Sequence, residues 1–530
     1  MTADRRTSFQ TLIRAVAWAL GCMSLLLGPL DVARANEPVA RLTVGGATLY
    51  DTLDPHVVLD TRRSDTRLHL YDGLFRWQSG PLRIAPWLAQ SYTVSEDGRT
   101  FRFALRKDAR FHNGREVKAS DVVYSVERIL AQKGGVAPLL VGLVSPGSTK
   151  AIDANTVEFG LSRASPLFLT LLPEIHIVNA ELLKANELNN DWGRGWLQQN
   201  DAGSGAYALK SYGGPTNVLL ERFAGHWSTD WSAKPVEEIE FKAVLDPEAR
   251  VDRLIAGELQ VLQGNLLPHQ LQRLRDAKDV VVLPSDGPRI FVGILNSGRD
   301  PIKVPGFRKV LAQAFDSDRF IASALGNGAT AITLPLPPSI GTPPTGLARP
   351  KFDLAEAAAG LAKLKLPTRE LTIGAIAGDP HSERAALIML DGLIALGLPA
   401  RIVSEVWPVL DARMRDEKQT YDIVFLWRGA RYLDANNWLG EMFDCDLLGA
   451  GNSSWYCNRD IDRAIKEARA IADPRARRTA FEKAAQLLAE DHAGLFIASA
   501  RRTVAHAKKV KGLRHSPVGE AIDARMAIID

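Results

Sequence analysis

The sequence predicts an α/β protein, and two observations carry that prediction. Between Lys351 and Trp427, apolar strands and amphipathic helices alternate along the chain, the pattern of parallel strands joined by crossover helices. The composition, 46% hydrophobic and 24% charged over 530 residues, is that of a globular chain that builds cores without metal or disulfide staples. At roughly 100 to 200 residues per domain the length implies two to four domains. Disorder, collagen and coiled coil are excluded.

Taken in order, the first element is an address. Arg5, Arg6 and Arg14 precede an apolar run from Ala15 to Leu30, and Ala33-Arg34-Ala35 forms a small-x-small pattern before Asn36. This reads as a secretory signal peptide over residues 1–35, cut after Ala35. The run is interrupted by Gly21, Gly28 and Pro29 and falls short of the roughly 20 residues of a membrane span. Arg5-Arg6 leaves twin-arginine export open, although Phe9 sits one place late, and Cys22 lies in a poor lipoprotein box. The mature chain is expected to be soluble outside the cytoplasm.

Arg41–Gly46 alternates like a strand and ends in Gly45-Gly46, where backbone could approach a ligand. Leu53-Asp54-Pro55-His56 is a turn signal. Tyr92–Val94 and Thr100–Arg106 flank Ser95-Glu96-Asp97-Gly98 as a hairpin with one buried face. Ser120 precedes a helix over Asp121–Leu130, with Val122, Val123, Val126, Ile129 and Leu130 at helical spacing. A strand is expected over Ile290–Leu295 and a surface connector over Pro335–Pro350. Asp353 with Glu356 resembles a capping box; strand Leu371–Ala377, helix Ser382–Leu396, strand Ala400–Ser404, helix Pro408–Glu417 and strand Tyr421–Trp427 follow. Two more helices start after Asn458 and at Asp473-Pro474, the latter pair as N-cap and first helical residue.

Several chemistries are missing. The 65 basic and 61 acidic residues are mixed, with a net charge of +4 and no long basic block, so no nucleic-acid partner is expected. No His-Glu-x-x-His and no P-loop occur, so neither a metal nor a cofactor is expected. Gly203-Ser204-Gly205-Ala206-Tyr207-Ala208 fits a loose dinucleotide pattern, yet Leu209–Tyr212 reads as a strand where that fingerprint needs a helix. Ser204 lacks the frame of a nucleophile elbow. Cys445 and Cys457 flank a polar segment; in an oxidising compartment a disulfide is the first expectation, and two free thiols or a metal pair is the alternative.

Tyr71-Asp72-Gly73-Leu74, Ala85-Pro86-Trp87-Leu88-Ala89, Val94-Ser95-Glu96-Asp97-Gly98 and Phe111-His112-Asn113-Gly114 through Ala119-Ser120-Asp121-Val122-Val123-Tyr124-Ser125 resemble the signature stretch of the extracellular solute-binding proteins of family 5. These are the peptide- and nickel-type receptors of ABC importers. Gly203–Tyr207, Leu295-Asn296 and Tyr456-Cys457-Asn458 add to the resemblance, which runs over nearly all of residues 40–515.

The resemblance implies a large, two-lobed periplasmic-binding-protein fold of the cluster C type with an extra subdomain, closing on its ligand by hinge motion. It implies lobe I from residues 36–67, 190–283 and 500–530, a supporting subdomain over 68–189, and lobe II over 284–499. The expected partners are a small-molecule or oligopeptide ligand and the membrane permease, and the receptor is expected to be a monomer. A shuttle needs no catalytic groups, because binding favours the closed state through differential affinity. A secreted enzyme, or a sensory or chaperone-like binding protein on the same fold, is the alternative.

Ligands of open α/β sheets sit beyond the carboxyl ends of strands. The loop after Tyr421–Trp427 is therefore the expected ligand wall, with Trp427, Arg428, Arg431, Tyr432, Asp434 and Trp438 as candidates. It resembles the family's Ala-Asp-Tyr-Pro-Asp-Pro-Asn-Asn-Trp-Leu, but Arg431 stands where many members have the Asp that holds a peptide ammonium. An ammonium about 4 Å from that guanidinium would be repelled by roughly 4 kcal/mol. Arg431, helped by Arg428, is expected to receive a carboxylate or other anion; the competing expectation is a local Arg431–Asp434 pair. Gly45, Gly46, Asn296 and the Gly203–Tyr207 turn are secondary candidates, each equally a structural turn or strand end.

Overall fold

The computed structural model describes residues 39–530 except 50–51, 58–63, 79–82, 134, 286, 517 and 519–520. The expected signal peptide and its cut after Ala35 lie outside the described residues. The chain enters as β1 (Arg41–Gly46) and pairs β2 (Phe75–Gln78) with β3 (Arg83–Pro86). It then builds a four-stranded antiparallel sheet from β4 (Ala89–Val94), β5 (Thr100–Leu105), β6 (Val144–Ala151) and β7 (Thr156–Leu161), with α1 (Ala119–Gln132) between β5 and β6. Phe101, Phe103 and Leu105 point inward as the alternation predicts and pack on Phe159, Phe168 and the Val122–Val126–Ile129 stripe of α1. The helix starts two residues earlier than expected. Asp121 reaches back to the Lys118 N–H and stops the backbone there.

Next come β8 (Tyr207–Tyr212), β9 (Asn217–Arg222), β10 (Glu238–Ala243), β11 (Val261–Leu262) and β12 (Val280–Ser285). A second sheet follows: β13 (Arg289–Leu295), α2 (Pro305–Ala314), β14 (Ala329–Ala331), α3 (Leu354–Leu364), β15 (Leu371–Ile376), α4 (Pro380–Ala395), β16 (Ala400–Glu405), α5 (Trp407–Met414) and β17 (Ile423–Gly429). The short α6 (Leu439–Phe443), then α7 (Arg459–Ala470) and α8 (Pro474–Glu490), lead to β18 (Gly494–Ala500) and back to β19 (Arg502–Ala507). The seven-stranded sheet has the order β12-β19-β11-β1-β10-β9-β8, and the six-stranded sheet β14-β18-β13-β17-β15-β16.

The alternating region folds as the sequence predicts, with β15 parallel to both β16 and β17. Asp353 accepts the Glu356 N–H, and Asp473 caps α8 ahead of Pro474. The sheet as a whole is mixed, because β13 runs antiparallel to β17 and β18. Both faces are covered. Along β13, Ile290, Val292 and Ile294 enter the core beneath α5–α8, while Phe291 and Leu295 enter the core beneath α2 and α4. Burial on both faces makes these strands near-continuous apolar runs.

The chain crosses between the two large sheets twice, from β12 to β13 and from β18 to β19. The crossings lie side by side. Ser285 pairs with Arg502, Ile290 pairs with Ser499, and Arg289 donates to the carbonyls of Ala500 (3.2 Å) and Arg501 (3.4 Å). Cys445 and Cys457 form a disulfide with Cα atoms 5.2 Å apart, which settles the alternative left open by the sequence.

Candidate functional site

β17 ends in Trp427, Arg428 and Gly429, and the loop that follows is shaped by its own side chains. Trp427 is buried: its indole N–H donates to His381 Nδ1 (3.0 Å), and the Arg289 guanidinium stacks on its ring at 3.9 Å. Arg428 reaches Ser453 Oγ (3.3 Å), and its carbonyl accepts from the buried Trp438 indole (3.1 Å). The Arg431 N–H is held by Asn437 Oδ1 (2.9 Å). Tyr432 is buried against the core of the four-stranded sheet, and Asn436 donates to its hydroxyl; burial raises its pKa.

The expected Arg431–Asp434 pair is not formed. Asp434 takes two hydrogen bonds from Arg477, at 2.8 and 2.9 Å, while Arg431 pairs with Glu441 on α6. Sequence distance misled here: α6 is placed by Leu439, Met442 and Phe443 in the core, which turns Glu441 back toward the loop. The Arg431 charge is thus answered by α6, ten residues further along the chain.

Asn296 stands apart from the other candidates. It follows β13, which runs antiparallel to β17, and the Leu295↔Ile423 and Arg289↔Gly429 register puts it at the other end of the sheet from the loop after β17. There its polar groups meet the Asp422 and Glu417 carbonyls and the Gly298 N–H. Gly45 and Gly46 end β1 at the centre of the seven-stranded sheet; Gly45 accepts from the Gln263 N–H, and a Cβ there would meet Leu259. The Gly203–Tyr207 turn has a packing role: Cβ atoms on Gly203 and Gly205 would fall 1.8 and 2.2 Å from the Leu70 and His69 carbonyl oxygens, and Tyr207 donates to Val236 O (2.9 Å).

Residues that the sequence reading missed close the space between the two large sheets. Asn265 donates to Asp379 (2.9 Å) and accepts from Arg289 (2.8 Å), Arg250 donates to Gly378 O (3.0 Å), and His381 Nε2 donates to Leu266 O (3.0 Å). An indole is only a donor, so the Trp427 bond fixes His381 as the neutral Nε2–H tautomer. Burial, opposed by Asp379 and assisted by Arg289, lowers His381 to about 4. Beside these contacts lies a cavity of about 460 Å³ whose wall includes Arg275, Arg289, Arg501 and His381. The signal was present in the sequence: His381 opens the helix directly after strand β15, at the strand end where such ligands sit.

Residues 83–447 match the model of the bacterial extracellular solute-binding proteins, family 5, middle region. This chain belongs to that family. The family 5 protein is 26% identical to a probable D,D-dipeptide-binding periplasmic protein of Escherichia coli K12, over 96% of this chain and 98% of the relative. It is 27% identical to a dipeptide-binding protein of the same organism, over 85% and 87%. Its fold matches that of the dipeptide-binding protein of Pseudoalteromonas sp. SM9913 in complex with Met-Leu with a TM-score of 0.84, at 21% identity, over 92% of this chain and all of the other. It is an extracellular solute-binding protein with the two-lobed α/β fold, and its family is not one of enzymes.

Proposed function

We propose that this chain is the receptor of an ABC importer, binding a peptide or peptide-like solute between its lobes and delivering it to a membrane permease. The single observation that carries the reading is the family match over residues 83–447. The curated relatives named above, both dipeptide-binding by description, support the peptide class. In this reading residues 36–67, 190–283 and 500–530 form lobe I, residues 68–189 the supporting subdomain and residues 284–499 lobe II. The leader is cut after Ala35, and the receptor works as a monomer.

The ligand lies along the end of β17, against Trp427, Arg428, Arg431, Tyr432, Asp434 and Trp438, with the backbone at Gly45 and Gly46 on the facing lobe. Arg431 contributes as one half of a neutral pair with Glu441. An anionic ligand end has the arginine-lined cavity at Arg275, Arg289 and Arg501 to enter. Such a device needs only differential affinity for the closed state.

The test is a melting-temperature screen of the purified protein against free, N-blocked and anionic peptides, with mass spectrometry of any ligand retained through purification. A binder at a hundredfold excess over its Kd adds about 2.7 kcal/mol of stability. A melting shift and an unchanged ligand are expected. Chemical turnover of the ligand, or no shift with any peptide class and a non-peptide retained ligand, overturns the reading. N-terminal sequencing of secreted protein checks the cut at Ala35.

A further inference from the structure

A second cavity, of about 140 Å³, lies where the subdomain meets the loop after β17. Its subdomain wall is apolar, with Leu139, Leu143 and Leu167, and also carries Arg163. The opposite wall is polar, and almost everything on it is engaged. Arg469 donates to Asn436 (2.8 Å) and Asp444 (2.6 Å), and Asn436 donates to Tyr432 (2.7 Å).

Two groups are not engaged. Glu441 gives one oxygen to Arg431, while its Oε1 is buried and has no hydrogen-bond partner among the described residues, although the side chain is only 9% exposed. A buried carboxylate oxygen left bare is destabilising, so it marks a place where a donor belongs. Arg163, on the subdomain side, makes no ion pair or hydrogen bond among the described residues. Burial first, then the like charges of Arg469 and Arg477, lower its pKa.

We propose that this cavity is a subsite for a neutral secondary amide, the acyl cap of an N-blocked peptide: the amide N–H donates to Glu441 Oε1, Arg163 donates to the acyl oxygen, and the acyl carbons rest on Leu139, Leu143 and Leu167. A neutral group fits because each lining carboxylate already has a cation, Glu441 with Arg431, Asp444 with Arg469 and Asp446 with Lys466, while Arg163 adds a positive charge that opposes an ammonium. The volume suits a cap of a few heavy atoms rather than a whole peptide. This inference rests on the peptide-receptor reading and names the ligand class within it.

Calorimetric titration with N-acetyl-Ala-Ala and with free Ala-Ala tests it on the wild type, Arg163→Leu and Glu441→Gln. The wild type is expected to prefer the acetylated probe by about tenfold or more, the scale of one charged hydrogen bond. Arg163→Leu should remove most of that preference without lowering the melting temperature, since the arginine makes no ion pair or hydrogen bond among the described residues. Glu441→Gln, which keeps the shape, should reduce it too. Equal binding of both probes by the wild type, a preference for the free amine, no binding of either, or a preference that survives both substitutions overturns the subsite. The peptide-receptor reading is decided separately, by the retained ligand and the wider peptide screen.

Discussion

Two buried arginine–carboxylate pairs, one in each half of the chain, use the same chemistry to different ends. Asp54 and Arg128 are fully buried, and every polar atom of the pair is answered: both Asp54 oxygens take guanidinium protons, the His56 N–H adds a third bond (3.0 Å), and Arg128 Nε reaches Trp192 O (2.8 Å). His56 completes the set, accepting from Arg128 (2.9 Å) and donating to His176 O (2.8 Å). Arg431 and Glu441 are nearly as buried, yet one oxygen of Glu441, a residue of the cavity wall, has no hydrogen-bond partner among the described residues. A closed network fixes a fold. An open one leaves a valence for something from outside.

The largest effect that could break this contrast comes from the closed pair. Asp54→Ala strands a buried guanidinium and is expected to cost about 3–5 kcal/mol in urea unfolding; a cost under about 1 kcal/mol would show that the network is not structural. Next is the disulfide beside the open pair. Its sequence separation of 12 predicts a loss of about 3 kcal/mol for the Cys445→Ser, Cys457→Ser double variant. Hydrogen exchange should rise around α6 and leave α1 unchanged.

Acid sharpens the comparison further. Burial first and Arg128 second lower His56 to about 4, and His381 is lowered to about 4 chiefly by burial. Both folded pKa values lie below the unfolded 6.5, so the unfolded chain binds more protons in between. Their stabilisation is complete above about pH 6.5 and is lost as the pH falls toward 4. Urea midpoints should drop between pH 7 and pH 5, and His381→Gln should flatten part of that drop. The smallest effect belongs to an exposed pair: Arg102, 61% exposed, meets Glu158 across β5 and β7, and Arg102→Ala is expected to change stability by less than about 1 kcal/mol.

What was legible in the sequence follows the range of the forces involved. Helix caps and alternating strands are local, so Asp353, Asp473 and the β15–β17 region could be read directly. The ends of β17 moved by two residues because Asp422 is claimed by Arg299, Arg369 and Thr372 from other segments. The direction of β13 depends on pairing with strands more than a hundred residues away, and no local pattern reports it, so the end of the sheet at which Asn296 falls could not be read from sequence. The turn signal at Asp54-Pro55-His56 was visible, but its burial under Arg128 was not. The loop after β17 was found from strand-end logic and family resemblance together, whereas Glu441, ten residues beyond Arg431, became visible only through the packing of α6.

The side-by-side crossings joined by Arg289 carry a mechanical consequence. Two connections that pass between the sheets side by side are expected to let one sheet turn against the other about a single line more readily than slide along it. Arg289 sits on that axis and also forms part of the cavity wall. In the receptor proposed above, a ligand that touched its guanidinium would act at that line, where a small displacement is magnified at the far rim of each sheet.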